Sequence, residues 1–232
     1  MSAITRRARR FAGRALSAMG INWRKPSFGL NGLDHKVLPF LNKKKGVFVE
    51  AGANDGLSQS NTAYLERFLG WRGLLVEPIP VLAEKCRKNR PHAIVEQCAL
   101  VPFGYPDPDI EMHYCNLMSL VEGARGSKDA DAQHLALGAT FLAAGEATYS
   151  VRVPAVPLSD LLDKNGIGEI DFLSLDVEGF EVQALSGLDF RRHRPTFVLL
   201  EANDPSAIEA IMGAHYEMRE QLSHHDRLYM RR

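Results

Sequence analysis

Four stretches of the sequence end an apolar run with groups suited to a polar ligand. They are "VFVEAGANDG" (47–56), "GLLVEP" (73–78), "VEQCAL" (95–100) and "FLSLDVEG" (172–179). In the first, Glu50 closes the run, and Gly52 and Gly56 bracket Asn54 and Asp55 before a helical segment begins near Ser60. Glycine lets a ligand approach the main chain and permits backbone angles that other residues avoid. In the second, Glu77 stands before Pro78, where a carboxylate can accept hydrogen bonds from both hydroxyls of a ribose. In the third, Cys98, Ala99 and Leu100 offer a small apolar shelf for a flat base.

Any one of these has a bland explanation, since tight turns use glycine and a lone cysteine is usually a small buried hydrophobe. Three such strand ends in chain order point to a nucleoside. A dinucleotide fingerprint would read G-x-G-x-x-G, so that a helix start can cradle a pyrophosphate. Here the spacing is G-x-x-x-G, with Asn54 in place of the middle glycine and Glu50 in front. A carboxylate at that point repels phosphate and attracts an amine, which selects a nucleoside with a cationic amino-acid tail, S-adenosylmethionine.

The elements that must hold these groups are legible as apolar runs of strand length: "GVFVEAG", "GLLVEP", "AIVEQCAL", "IDFLSLD" and "TFVLLEA". Helical spacing separates or follows them, as in Tyr64, Leu65, Phe68 and Leu69, or Val182, Leu185 and Leu188. Runs apolar on both faces that alternate with helices predict an α/β fold around a mostly parallel sheet. "NGLDHKVLPFL" reads as a helix capping that sheet, and "YEMREQL" with "HHDRLYMRR" alternates like a hairpin. We therefore divide the chain into a basic arm and capping helix (1–45) and a main domain (46–232). Residues 104–150 exceed an ordinary connection and are expected to be an insertion or lid.

Composition narrows the field further. Lys plus Arg and Asp plus Glu are equal at 28 each, so no overall field draws the chain to nucleic acid, and no basic-aromatic stripe stands outside the N-terminal arm. Cys86, Cys98 and Cys115 form no metal-ligand spacing and fit a reducing, cytoplasmic setting. No run approaches the roughly 20 apolar residues of a membrane span. In "MSAITRRARRFAGRALSAMG", arginines surround Phe11, Ala15 and Leu16; this arm is either a solvated terminus or a basic amphipathic segment that touches an anionic membrane.

The stretches "FVEAGANDGLSQSNTAYLE", "GWRGLLVEPIP", "VEQCALV" and "VPLSDLLDKNGIGEIDFLSLDVEGFEVQALSGL" resemble the FkbM-type methyltransferases in content and order. The resemblance implies a Rossmann-like class I methyltransferase fold: a mostly parallel seven-stranded sheet, helices on both faces, and a C-terminal antiparallel hairpin. It implies S-adenosylmethionine as cofactor and acceptor hydroxyls on sugars or other small polyhydroxylated molecules. Glu50, Gly52, Asn54, Asp55, Gly56 and Ser60 would form the loop around methionine and ribose. Glu77 and Pro78 would bind the ribose, Cys98 and Ala99 would flank the adenine, and Asp176 to Glu178 would lie near the transferred methyl. Many family members carry Lys where this chain has Ser174.

An acceptor hydroxyl needs a proton acceptor or a metal. Candidate bases are His113, the histidine within "EMHYCN" of the insertion, and Asp176 or Glu178. For a metal, Asp176 could converge with Glu201, Asn203 and Asp204 from the adjacent strand end on Mg²⁺, although such acids also cap helices. The expected activity is an O-methyltransferase. The competing expectation is a non-catalytic nucleoside-binding or scaffold protein with the same fold. Were the arm to dock on a membrane, a lipid-linked glycan would be a sensible acceptor.

Overall fold

The computed structural model describes residues 26–232, so the basic arm lies outside the described residues. Two short helices, α1 (Leu33–Lys36) and α2 (Leu38–Leu41), lead to β1 (Val47–Ala51), α3 (Ala63–Leu69), β2 (Arg72–Val76), α4 (Pro80–Asn89) and β3 (Ile94–Glu96). The next part holds β4 (Ala99–Leu100), β5 (Asp109–Tyr114), β6 (Leu120–Val121), α5 (Lys128–Ala139) and β7 (Tyr149–Val156). The alternation then resumes with α6 (Leu158–Lys164), β8 (Phe172–Leu175), α7 (Glu181–Leu185), β9 (Phe197–Glu201) and α8 (Pro205–Met212). Strands β10 (Tyr216–Gln221) and β11 (Asp226–Arg231) finish it.

The main sheet has seven strands in the order β10-β11-β9-β8-β1-β2-β3. All neighbours are parallel except β11, which runs antiparallel to both β9 and β10. Chain order reverses between β1 and β8, which leaves a crevice outside their carboxyl ends, the place where open α/β sheets take ligands. Strand order and the reversed hairpin together are those of a Rossmann-like class I methyltransferase.

Side chains alternate across the sheet, so each strand feeds two cores. From β1, Val49 and Ala51 join Leu173, Leu175 and Val198 on one face, while Phe48 joins Leu75, Phe172 and Trp71 on the other. The capping segment contributes Leu33, Val37 and Leu41 to this second core. Gly73 has no alternative, because a Cβ there would overlap the Phe48 carbonyl of the neighbouring strand. Helix starts carry local signals: Pro80 and Pro205 in first turns, and Asp204 and Ser127 accepting from amides two or three residues on.

One expectation changes. "AIVEQCAL" is two strands: Ile94–Glu96 extends the main sheet, and Ala99–Leu100 leaves it to pair with β7. The long connection is an ordered subdomain, a small sheet in the order β4-β7-β5-β6 with α5 packed beside it. It has its own core of Ile110, Met112, Tyr114, Val121 and Val153, which joins the body through Ile79, Leu82 and Phe180. Among the described residues no helix is long and apolar enough to cross a membrane.

Candidate active site

The loop after β1 is shaped by close approaches. Gly52 (φ +80°) lies so near the Asp176 carbonyl that a Cβ would overlap it, and Gly56 (φ +82°) would put one 2.8 Å from Arg90 Cγ. Asn54, also left-handed at φ +49°, donates its amide to Glu77 Oε2 at 2.8 Å. The Ile79 amide donates to Glu77 Oε1 at 2.9 Å, so backbone fixes both oxygens of a carboxyl group only 4% exposed. Burial pushes Glu77 up to about 8, against the pull of those two amides. A carboxylate accepts about four hydrogen bonds; two positions are left for a ligand.

Glu50 goes elsewhere. Its Oε1 accepts from the Asn61 amide (2.6 Å) and its Oε2 from the hydroxyls of Ser60 (2.8 Å) and Thr62 (2.6 Å). Behind it stands Arg90, fully buried, bonded to Glu66, Gly56, Ser60 and Thr62, with Nη1 3.8 Å from Glu50. The acid expected to meet a ligand amine instead anchors the entry to α3, where four helical amides need partners. Asp55 likewise caps its own turn, accepting from the Leu57 and Ser58 amides.

A cavity of about 370 Å³ opens outside the carboxyl ends of β1, β2 and β8. Gly52, Asn54, Glu77, Pro78, Cys98, Ala99, Asp176 and Glu178 are on its wall. Glu50, Asp55, Gly56 and Ser60 are not; they shape the loop from behind. His113 is not on the wall either. Along β5, Ile110, Met112 and Tyr114 point inward, so His113 points to a separate outer hollow and bonds Ser150 Oγ at 2.8 Å. The insertion supplies the opposite wall with Met112, Asn116, Leu117, Met118, Val121 and Phe141. Asn116 (φ +53°) accepts from Asn54 Nδ2 at 3.3 Å across the cavity.

The 176–179 loop concentrates negative charge. Asp176 is open to the cavity yet walled by protein; burial, then Glu178, Glu201 and Glu181, hold its carboxyl well above the usual range. Glu178 sits at φ +56°, a costly angle for a non-glycine residue and of the kind that gathers at functional sites. Burial and Glu201 push it up to about 7, although Arg125 pairs with it at 2.8 Å. His134 Nε2 lies 3.4 Å from the same oxygen, its pKa lowered by burial and Arg125. Asp131 fixes the turn bearing Arg125 by accepting from the Gly123 and Arg125 amides.

The acids that converge differ from the expected metal set. Ligand atoms of Asp176, Glu181 and Glu201 lie within 4.8 Å of one another, a spacing that could hold a hard divalent cation. Asp204 is turned away to cap α8, bonding the Ser206 and Ala207 amides, and Asn203 is exposed. Sequence reading missed Glu181, Arg125 and His134. The E-x-x-E spacing of Glu178 and Glu181 was a usable sign for the first; the other two arrive only when the insertion docks.

Fold and cavity together define a class I methyltransferase. The profile of the Methyltransferase FkbM domain matches residues 50–229, and the chain belongs to that family. No curated protein matches it. Solved structures with a similar course include a TehB-like SAM-dependent methyltransferase from Corynebacterium glutamicum (10% identity, 98% of this chain and 97% of that one, TM-score 0.42). An RNA methyltransferase from Salinibacter ruber in complex with S-adenosyl-L-homocysteine aligns at 14% identity over 88% and 91%, with TM-score 0.40.

Proposed function

We propose that this protein is an S-adenosylmethionine-dependent O-methyltransferase acting on a hydroxyl of a glycan or another small polyhydroxylated acceptor. The observation that carries the reading is one continuous cavity in which the Gly52–Glu77 wall adjoins the Asp176–Glu178 loop. Glu77 would accept from the ribose hydroxyls, the bare backbone at Gly52 would admit the amino-acid tail, and Cys98 and Ala99 would border the adenine.

Bound S-adenosylmethionine supplies an activated methyl group, so the chain has two further tasks, alignment and proton removal. Methyl transfer to an acceptor hydroxyl would require that its proton pass to a carboxylate of the chain. Glu178 suits this role, because a base working near neutrality is most effective with a pKa close to 7. Asp176, beside it, is the alternative. Phe141 and Leu117 offer apolar surface for the C–H face of a sugar ring. The trio Asp176, Glu181 and Glu201 favours a second version of the same chemistry, in which a divalent cation orients the acceptor oxygen.

Calorimetric titration with S-adenosylhomocysteine, beside the Glu77→Ala variant, tests the cofactor assignment. Tight binding by the parent and loss in the variant are expected; no binding by folded parent protein overturns it. Binding without methyl transfer to a broad hydroxyl panel would instead favour a non-catalytic nucleoside-binding protein.

A further inference from the structure

Charge is sorted by position in this neutral chain. Residues 1–25 hold arginines and a lysine but no acid, which leaves the described residues net acidic. Five of the 28 acids, Glu77, Asp176, Glu178, Glu181 and Glu201, gather at the cavity end. The other end of the sheet holds Glu169 and Asp171 ahead of β8 and Glu217 in β10, but more cations than these. Lys44 and Lys45 precede β1, Arg72 opens β2, Arg194 precedes β9, and Arg231 and Arg232 follow the pairing of β11 with β9. Arg194 is half-buried and the other five are exposed.

Among the described residues none of these six pairs with a carboxylate, whereas neighbouring Lys43 pairs with Asp171 at 2.6 Å. Backbone carbonyls hold three of the arginines in place: Arg194 donates to His215 O, Arg231 to Arg194 O, and Arg232 to Tyr216 O. Four strand steps separate β11 from β2, so the cations spread over about 19 Å at roughly 4.8 Å per step, on both sides of the β8 start, where Glu169 is exposed and Asp171 pairs with Lys43.

We infer that this basic edge is a docking surface for an anionic phospholipid bilayer, with the cavity turned toward water. Cations without a carboxylate partner complement a negative leaflet, and their place opposite the acid-lined cavity orients the molecule in that field. Nucleic acid is the poorer occupant: Trp71 and Tyr216 at this edge are each 1% exposed and cannot stack on bases. The acceptor then arrives from the aqueous side, which removes the reason to expect a lipid-linked one.

The test is co-sedimentation of the full chain with phosphatidylcholine vesicles, with and without phosphatidylserine, at two salt concentrations. Salt-sensitive binding to the phosphatidylserine vesicles alone is expected. The variant Lys44→Gln/Lys45→Gln/Arg72→Gln should bind about 100-fold more weakly, at about fivefold per cation removed. Its melting temperature and S-adenosylhomocysteine affinity should match the parent. Should the triple variant misfold, Arg72→Gln alone, an exposed side chain, should weaken binding about fivefold. Absence of binding, lack of a phosphatidylserine preference, variants that bind like the parent, or tighter binding to duplex RNA than to vesicles at equal salt would each overturn the inference.

Discussion

Arg90 never touches the cavity, yet its replacement should damage both stability and cofactor binding. The side chain is 0% exposed; its Nε meets Glu66 at 2.6 Å, and its two terminal nitrogens reach Gly56 O (3.0 Å), Ser60 Oγ (3.2 Å) and Thr62 Oγ1 (3.1 Å). Arg90→Met keeps the length and apolar stem but removes every donor and the charge. It leaves Glu66 and Glu50, with side chains only 8% and 5% exposed, without a cation. Breaking a buried pair in this way costs about 3–5 kcal/mol. At about 2–4 °C per kcal/mol for a chain of this size, the melting temperature should fall by about 6–20 °C. Because Arg90 also holds the Gly56 carbonyl and the hydroxyls that bind Glu50, affinity for S-adenosylhomocysteine should fall as well. Thermal denaturation and calorimetric titration of parent and variant read the two effects. A variant that melts with the parent and binds equally well would refute the claim that this buried network shapes the ligand loop.

Gly52→Ala forces a Cβ into the Asp176 carbonyl at φ +80°, so it should lower the melting temperature and weaken S-adenosylhomocysteine binding at least tenfold by calorimetry. Glu77 and Glu178 titrate near 8 and 7 when folded, above the ordinary 4.5, so the stability they contribute is complete below about 4.5 and disappears as pH rises through 7 and 8. Urea midpoints of the ligand-free protein should decline over that range, and Glu77→Gln should flatten the decline. With any acceptor found by panel screening, Glu178→Gln should lower turnover by about 10²-fold, while His113→Ala, on the outer face, should leave it unchanged. If a cation bridges Asp176, Glu181 and Glu201, chelation should abolish turnover, and Mg²⁺ should restore it.

The strands, their parallel sense and the hairpin were legible because burial on both faces writes itself as continuous apolar runs, and the final alternation as period two. The Gly52 and Glu77 positions were legible for a related reason: a carboxylate and a bare backbone at buried strand ends are costly unless something uses them. Glu50 looked the same in sequence but had a partner inside the protein. Ser60, Asn61 and Thr62, two hydroxyls and a run of free helical amides, were the local sign of it. His113 could have been rejected from pattern alone, since Ile110, Met112 and Tyr114 claim the inward face of its strand. The convergence of Arg125 and His134 on Glu178 had no sequence signal. It depends on how an insertion with its own core settles on the body, and no periodicity encodes that.

Strand β11 lies inside the main sheet, although residues 226–231 come after every residue of the cavity wall in chain order. During synthesis the whole cavity wall has therefore left the ribosome before β9 acquires its second neighbour. Until Asp226–Met230 pair with it, β9 presents Val198, Leu199 and Leu200 on an open edge that invites another chain. A stop or a cleavage ahead of residue 226 would leave the candidate site residues in the polypeptide and fail all the same, by turning the domain into an aggregating fragment.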